Sequence, residues 1–207
     1  MKKTCTRDVK FSFQRDVSLF IVVLCIVTSA SFAQDNQNSA SVSSGEFGAI
    51  DTRIGTVRNA TAIFVGGRGG WIINQAVAIG IGGYALVNNV PARIPDTSGN
   101  HLLTMAYGGI DVEYNLLTTG SLRITFEELL GAGSISHEEI PYLNHRQYHD
   151  PFLVFEPGLS AEFKVTRILS VGAGVSHRVV FLLSSKLASN AELGSPSGFV
   201  SLNVGLY

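Results

Sequence analysis

The strongest constraint on this chain is a strict alternation of apolar and polar residues, which returns along the sequence after residue 46. In Val77–Val87, for example, Ile79 and Ile81 share one face, while Gly80 and Gly82 share the other. A period of two residues is that of a β-strand whose two faces meet different surroundings. No helical period persists, and no apolar run is long enough to cross a membrane as a helix. The chain is therefore predicted to be all-β.

Eight strands follow from this pattern, and the lengths of their connections alternate. The predicted strands are Phe47–Val57, Thr61–Ile73, Val77–Val87, His101–Tyr114, Ser121–Gly133, Phe152–Val165, Leu169–Val179 and Phe199–Tyr207. The predicted tight links are Asn74–Ala76, Leu117–Thr119 and Thr166–Ile168, and the long, polar ones are Asn88–Asn100, Ser134–Asp150 and Ser184–Ser195. A three-residue link keeps the apolar face of both strands on one side, because an odd number of residues preserves the alternation. The first link, Arg58-Asn59, is short where a long loop is expected.

The N-terminal segment 1–33 has the order of a secretory signal peptide. Five basic residues precede the apolar run Val17–Val27, and the small residues Ser31 and Ala33 follow it. We expect cleavage after Ala33, since the run is too short for a transmembrane helix; an uncleaved anchor is the alternative. Both cysteines lie in this segment, so the mature chain forms no disulfide. Residues 34–46 are polar and without period, as a flexible leader is.

Composition excludes several classes of protein. The chain is 45% hydrophobic and 15% charged, with 22 glycines and a formal charge of −1. These values exclude a disordered chain, a collagen, a coiled coil and a basic nucleic-acid binder. No nucleic-acid partner and no cofactor are expected.

Eight antiparallel strands with short turns at one end and long loops at the other are the layout of an outer-membrane barrel. The segment Phe47–Tyr207 resembles the small eight-stranded outer-membrane β-barrel proteins. The hairpin Gly66–Asn74 (GGRGGWIIN) with Gly80–Tyr84 (GIGGY) looks like an uncharacterised bacterial family of that kind. The resemblance implies an eight-stranded antiparallel up-and-down transmembrane barrel in the bacterial outer membrane, with lipid and the barrel-assembly machinery as partners. Tyr207 resembles the aromatic C-terminus that such barrels present to that machinery.

The alternation is equally compatible with a soluble, lipocalin-like barrel that binds a small ligand, in a periplasmic or secreted protein. In that fold the apolar face would point inward. The glycines favour the opposite arrangement, because a narrow lumen needs small residues beside its charged side chains, whereas a solvent-facing strand gains nothing from glycine. Eleven strand glycines lie on the polar face, namely those at positions 66, 70, 80, 82, 109, 131, 133, 158, 172, 174 and 205.

With the polar face inward, its charged residues are predicted to form a lumen charge network. The proposed network comprises Arg68, Asp111, Glu113, Arg123, Glu127, Glu156, Glu162, Lys164 and Arg178, and Asp51 and Arg53 share the same face. Buried charges must pair, and the near balance of signs permits this. Arg68 is expected to bind one or two of Glu113, Glu127, Glu156 and Glu162. Glu128 is the misfit, since it falls on the apolar face.

Residues predicted to face lipid are Ile63, Val65, Ile79, Ile81, Phe155, Leu159, Val171, Val175, Leu202 and Val204, with Trp71, Tyr114 and Phe163 toward the short-turn rim. No catalytic or metal site is assigned. The histidines and acids of His137–Asp150 lie in a predicted loop whose spacing fixes no geometry. Ser176 and His177 are adjacent in a strand, so they face opposite sides and cannot form a dyad. The sequence predicts a non-enzymatic envelope barrel with a structural or surface-interaction role; a lipid-modifying barrel enzyme is a further alternative.

Overall fold

A computed structural model describes residues 45–73, 76–92, 100–140, 150–181 and 189–205. Its strands are β1 (Gly45–Val57), β2 (Ala60–Ile73), β3 (Val77–Leu86), β4 (Val90–Ala92), β5 (Asn100–Thr119), β6 (Leu122–Ile140), β7 (Asp150–Lys164), β8 (Leu169–Phe181) and β9 (Ser195–Gly205), with a short helix α1 (Asn190–Leu193) before β9. The predicted signal peptide, most of the leader and Tyr207 lie outside the described residues. In the part described, no helix is long and apolar enough to cross a membrane.

The strands close into an antiparallel barrel with eight strand positions around its circumference. Strands adjacent in sequence pair with one another, except that β3 pairs with β5 instead of β4, and β1 pairs with β9 to complete the ring. The short strand β4 continues β3, because both pair with successive parts of β5. The predicted eight-stranded fold is therefore confirmed. A closed barrel leaves no unpaired sheet edge.

Three hairpin links define one end of the barrel, the turn end, and two of them have the predicted length. Ile73 pairs with Val77 across a three-residue link. The amide of Val165 donates to the carbonyl of Leu169 across residues 166–168, a second three-residue link. At the opposite end, the loop end, lie α1 and the strand ends that flank residues 93–99, 141–149 and 182–188.

The predicted link Leu117–Thr119 is wrong, because β5 continues to Thr119 and turns at Gly120 and Ser121. Gly120 has a φ of 58°, which suits glycine at a tight turn. A two-residue turn alone would exchange the two faces, but the register shifts by one residue between Asn115 and Leu117. This bulge restores the odd count that the alternation requires.

The other boundaries differ because backbone pairing extends past the alternating segments. β6 runs to Ile140, into the predicted loop from Ser134, and β9 begins at Ser195 instead of Phe199. β1 begins at Gly45, two residues before the predicted barrel boundary. A ladder of backbone hydrogen bonds needs no alternation once one face leaves the apolar band. The Arg58-Asn59 link is a two-residue turn in which both residues have positive φ, as a type I′ turn requires.

The outer wall is apolar and the charged side chains of the strands point inward, so the alternative barrel with its apolar face inward is wrong. Ile81 is 72% exposed on the outside, whereas Arg68 is 5% exposed inside. Eight of the residues predicted to face lipid are exposed, and Ile63 is partly so. Phe155 is the exception at 9%. It lies two residues before Pro157, where the pairing of β7 with β8 is interrupted.

The inward glycines stand where the narrow barrel leaves no room for a side chain. Gly109 and Gly131 pair across β5 and β6, and a Cβ on either would clash with the backbone of the opposite strand. A Cβ on Gly158 would press on the side chain of Glu127. Glycine thus admits both the strong curvature of an eight-stranded barrel and the charged side chains inside it.

Candidate functional site

The middle of the lumen holds a central charge layer, which we define as Asp51, Arg53, Arg68, Asp111, Glu113, Glu127 and Glu156. All seven are buried. They come from β1, β2, β5, β6 and β7, whose inward positions converge because the barrel is narrow. Asp51 and Arg53 share the polar face of their predicted strand but are not members of the network predicted from the sequence.

Arg53 is the hub of this layer. Its Nη1 donates to Glu156 Oε1 at 2.8 Å, and its Nη2 donates to the Tyr84 hydroxyl at 2.7 Å and to Glu127 Oε1 at 3.3 Å. The guanidinium carbon lies 4.0 Å from the ring centroid of Tyr84 and 4.9 Å from that of Phe199. Such a cation held between carboxylates and aromatic faces remains stabilised away from water.

Arg68 extends from β2 into the lumen and is 5% exposed. Its Nη1 contacts Glu127 Oε2 and lies 3.2 Å from Glu113 Oε1, and its Nε lies 3.5 Å from Asp51 Oδ2. One guanidinium therefore bridges acids from three strands. Asp111 is buried nearby, and its Oδ2 has no hydrogen-bond partner among the described residues.

Two tyrosines complete the layer, and sequence reasoning did not assign them to it. The Tyr84 hydroxyl donates to Asp51 Oδ2 at 2.6 Å, and the Tyr107 hydroxyl donates to Glu156 Oε2 at 2.7 Å. Glu156 also accepts a hydrogen bond from the Ser176 hydroxyl at 2.7 Å. The available signal was their position on the polar face, since a buried tyrosine hydroxyl generally finds a partner.

The remaining predicted network residues do not join this layer. Arg123 binds Glu162 near the turn end, where the Ser170 hydroxyl lies 3.5 Å from the same carboxylate. Lys164 is half-buried at that end. A small pocket there is lined by Glu113, Arg123 and Thr125 among others. Besides the central charge layer, the lumen thus holds charged residues at the turn end.

Arg178 lies at the loop end, in surroundings the sequence did not predict. Its Nε donates to the carbonyl of Leu193 in α1 at 2.9 Å, and its Nη2 donates to the carbonyl of Thr56 at 3.3 Å. The guanidinium carbon is 4.4 Å from the Phe64 ring centroid. No carboxylate of the described residues lies within salt-bridge distance. Arg178 thus ties α1 to the barrel wall.

Above the charge layer the lumen is filled by apolar side chains. We call this set the loop-end cluster: Val57, Ala62, Phe64, Tyr84, Val90, Leu103, Met105, Tyr107, Leu129, Ile135, Phe152, Val154, Val180 and Leu193. Leu193 is fully buried, so α1 closes the cluster from the loop side. The α1 residue Glu192 accepts hydrogen bonds from the backbone and hydroxyl of Ser189, which lower its pKa. The inward face that carries the predicted charges is therefore largely apolar on the loop side of the central charge layer.

The described residues offer no assembled catalytic or metal centre. Ser176 points inward and His177 is exposed on the other side, as expected from their adjacency. No group of three His, Cys, Asp or Glu side chains within the described ranges could hold a metal ion. The histidine-rich segment from His137 to Asp150 falls largely outside the side chains described.

No protein-family model and no curated protein matches the chain significantly in sequence. In structure the chain is similar to Neisserial surface protein A, with a TM-score of 0.53 and 12% identity over 81% of this chain and 99% of that one. It also matches the N-terminal β-barrel domain of Pseudomonas aeruginosa OprF (TM-score 0.49, 14% identity, 77% and 97% covered) and a major outer membrane protein of Thermus thermophilus (0.47, 8%, 78% and 99%). The similarity to the first of these confirms the fold as that of the small outer-membrane β-barrels.

Proposed function

We propose that this chain is a non-enzymatic β-barrel of the bacterial outer membrane, which acts structurally or through surface contacts at its loop end. One observation carries the proposal: the wall is apolar outside and the charges are inside. Ile81, Val175 and Val200 are 72%, 63% and 58% exposed on the outer wall. A soluble protein would place such a continuous apolar surface in contact with water, at a large cost in free energy, whereas lipid stabilises it.

The filled lumen argues against transport of solutes. The central charge layer spans the interior, with Arg53 and Arg68 linking acids of opposite walls. The loop-end cluster lies above this layer, and α1 closes it. A polar solute would have to disrupt both layers, and an eight-stranded barrel has no spare width.

A lipid-modifying activity lacks a supporting arrangement in the described residues. The Ser176 hydroxyl is engaged with Glu156 inside the lumen, and His177 is on the outer wall. In this proposal the long connections between strands meet a partner outside the cell, because loops on a rigid barrel commonly carry recognition. In this proposal the partner is a surface molecule, and the loops determine which molecule is bound.

The test is fractionation of cells that express the full chain, followed by electrophoresis of heated and unheated samples. The proposal expects the protein in the outer-membrane fraction, with a mobility that changes on heating, because a closed barrel resists unfolding in detergent. Reconstituted vesicles should show no channel conductance. Recovery in a soluble fraction, or a mobility that heating does not change, would contradict the proposal.

A further inference from the structure

An acid and a base interrupt the apolar outer wall between its rims. At the outward strand positions whose side chains the structure describes, the acidic and basic residues are Glu128 on β6, His177 on β8 and Glu46, the second residue of β1. Glu128 and His177 are near one another. An acid and a base that lie on the same side of a largely apolar wall form a polar patch.

The register places both residues beside Pro157 of β7. Glu128 pairs with Pro157, and His177 lies opposite Pro157 on the other side, between the pairs Phe155–Val179 and Gly158–Ser176. Neighbouring strands are about 4.8 Å apart, so the two Cα atoms are about 10 Å apart. Pro157 separates them within one chain.

Glu128 lies well inside the apolar band. Its outward neighbours Ile110, Leu130 and Leu159 are 58%, 53% and 46% exposed. Its Oε1 is buried and has no hydrogen-bond partner among the described residues. An ionisable residue among apolar residues that face lipid marks an interaction whose partner must be sought.

We propose that the wall around Pro157 is an interface with a second copy of this chain, in which Glu128 of each copy pairs with His177 of the other. A two-fold axis through the membrane near Pro157 would exchange the positions of the acid and the base, so a single patch is complementary to itself. This inference rests on the proposed location of the barrel in a membrane.

Cross-linking of single cysteines locates the interface. Leu159→Cys lies on β7 two residues from Pro157, close to the proposed axis, where each copy would meet its own equivalent. Val65→Cys is the matched control, because Val65 is similarly exposed on β2, the opposite wall of the barrel. In outer-membrane vesicles we expect oxidised dimers from Leu159→Cys and none from Val65→Cys. Equal yields from both positions would overturn the proposal.

The charged pair is tested by exchange. Glu128→Leu or His177→Leu should weaken dimerisation about tenfold, because each removes two symmetry-related polar pairs within the membrane. The double exchange Glu128→His with His177→Glu should restore it. Sedimentation in density-matched detergent measures the dissociation constant, and heat-dependent mobility verifies folding of each variant. A folded, monomeric native protein in the membrane would refute the interface and leave the proposed function intact, whereas a soluble native protein would refute the proposed function itself.

Discussion

Replacement of Arg68 by alanine should destabilise the barrel more than any change to a charge at its ends. Arg68 is 5% exposed and contacts Glu113, Glu127 and Asp51, which come from three different strands. In Arg68→Ala the carboxylates lose that cation while they remain buried. Arg53 reaches Glu127 at 3.3 Å but lies 3.7 Å from Asp51, so it replaces only part of the lost interaction.

The expected loss in the free energy of unfolding is about 3–5 kcal/mol, the range measured when one partner of a buried ion pair is removed. Most of this loss arises because the acids remain buried without their cation. A second substitution, Glu127→Gln, should therefore recover part of the stability in the Arg68→Ala background. Non-additivity of the two changes is the signature of a direct interaction.

Urea unfolding of the reconstituted protein, followed by tryptophan fluorescence, measures this free energy. Arg167→Ala is the control, because Arg167 is exposed in the β7–β8 turn and its loss should cost no more than about 0.5 kcal/mol. If Arg68→Ala and Arg167→Ala have equal stabilities, the reasoning about the buried charge layer fails.

Further predictions concern the wall, the loop-end cluster, the glycines and the leader. Ile81→Arg should cost about 2–4 kcal/mol in the same assay, and no loss would mean that this wall does not face lipid. Leu193→Ala should lower the free energy of unfolding by about 2–5 kcal/mol, because it leaves a cavity in the loop-end cluster. An unchanged stability would mean that α1 does not pack against this cluster. Gly131→Ala should lower the yield of folded barrel, whereas Gly48→Ala should not, because an added Cβ there meets nothing within 4 Å. N-terminal sequencing of the exported protein should show cleavage after Ala33.

The sequence by itself determined the number of barrel strands and which residues of each strand share a face, and the glycines favoured the polar face as the inner one. A strand repeats every two residues whatever its tertiary surroundings, so the alternation around Ile81 and Val175 could be read locally. The position of eleven strand glycines on the same face as the charged residues followed from the same parity. Two of the three short links also followed, because their length must preserve that parity.

Only the tertiary structure decided which residues meet inside the barrel. Arg53 and Glu156 are 103 residues apart in sequence, and their contact depends on closure of the ring by β1 and β9 and on the stagger between strands. The loop-end cluster around Leu193 could not be predicted from the sequence either. The alternation distinguishes the two faces of a strand, but it does not distinguish successive layers of side chains along the barrel axis. The bulge at Leu116 likewise could not be predicted, because it depends on how β5 and β6 pair on either side of the turn that joins them. The two-residue period of a strand determines which face each side chain is on, whereas the register of the whole barrel determines which residue it meets there.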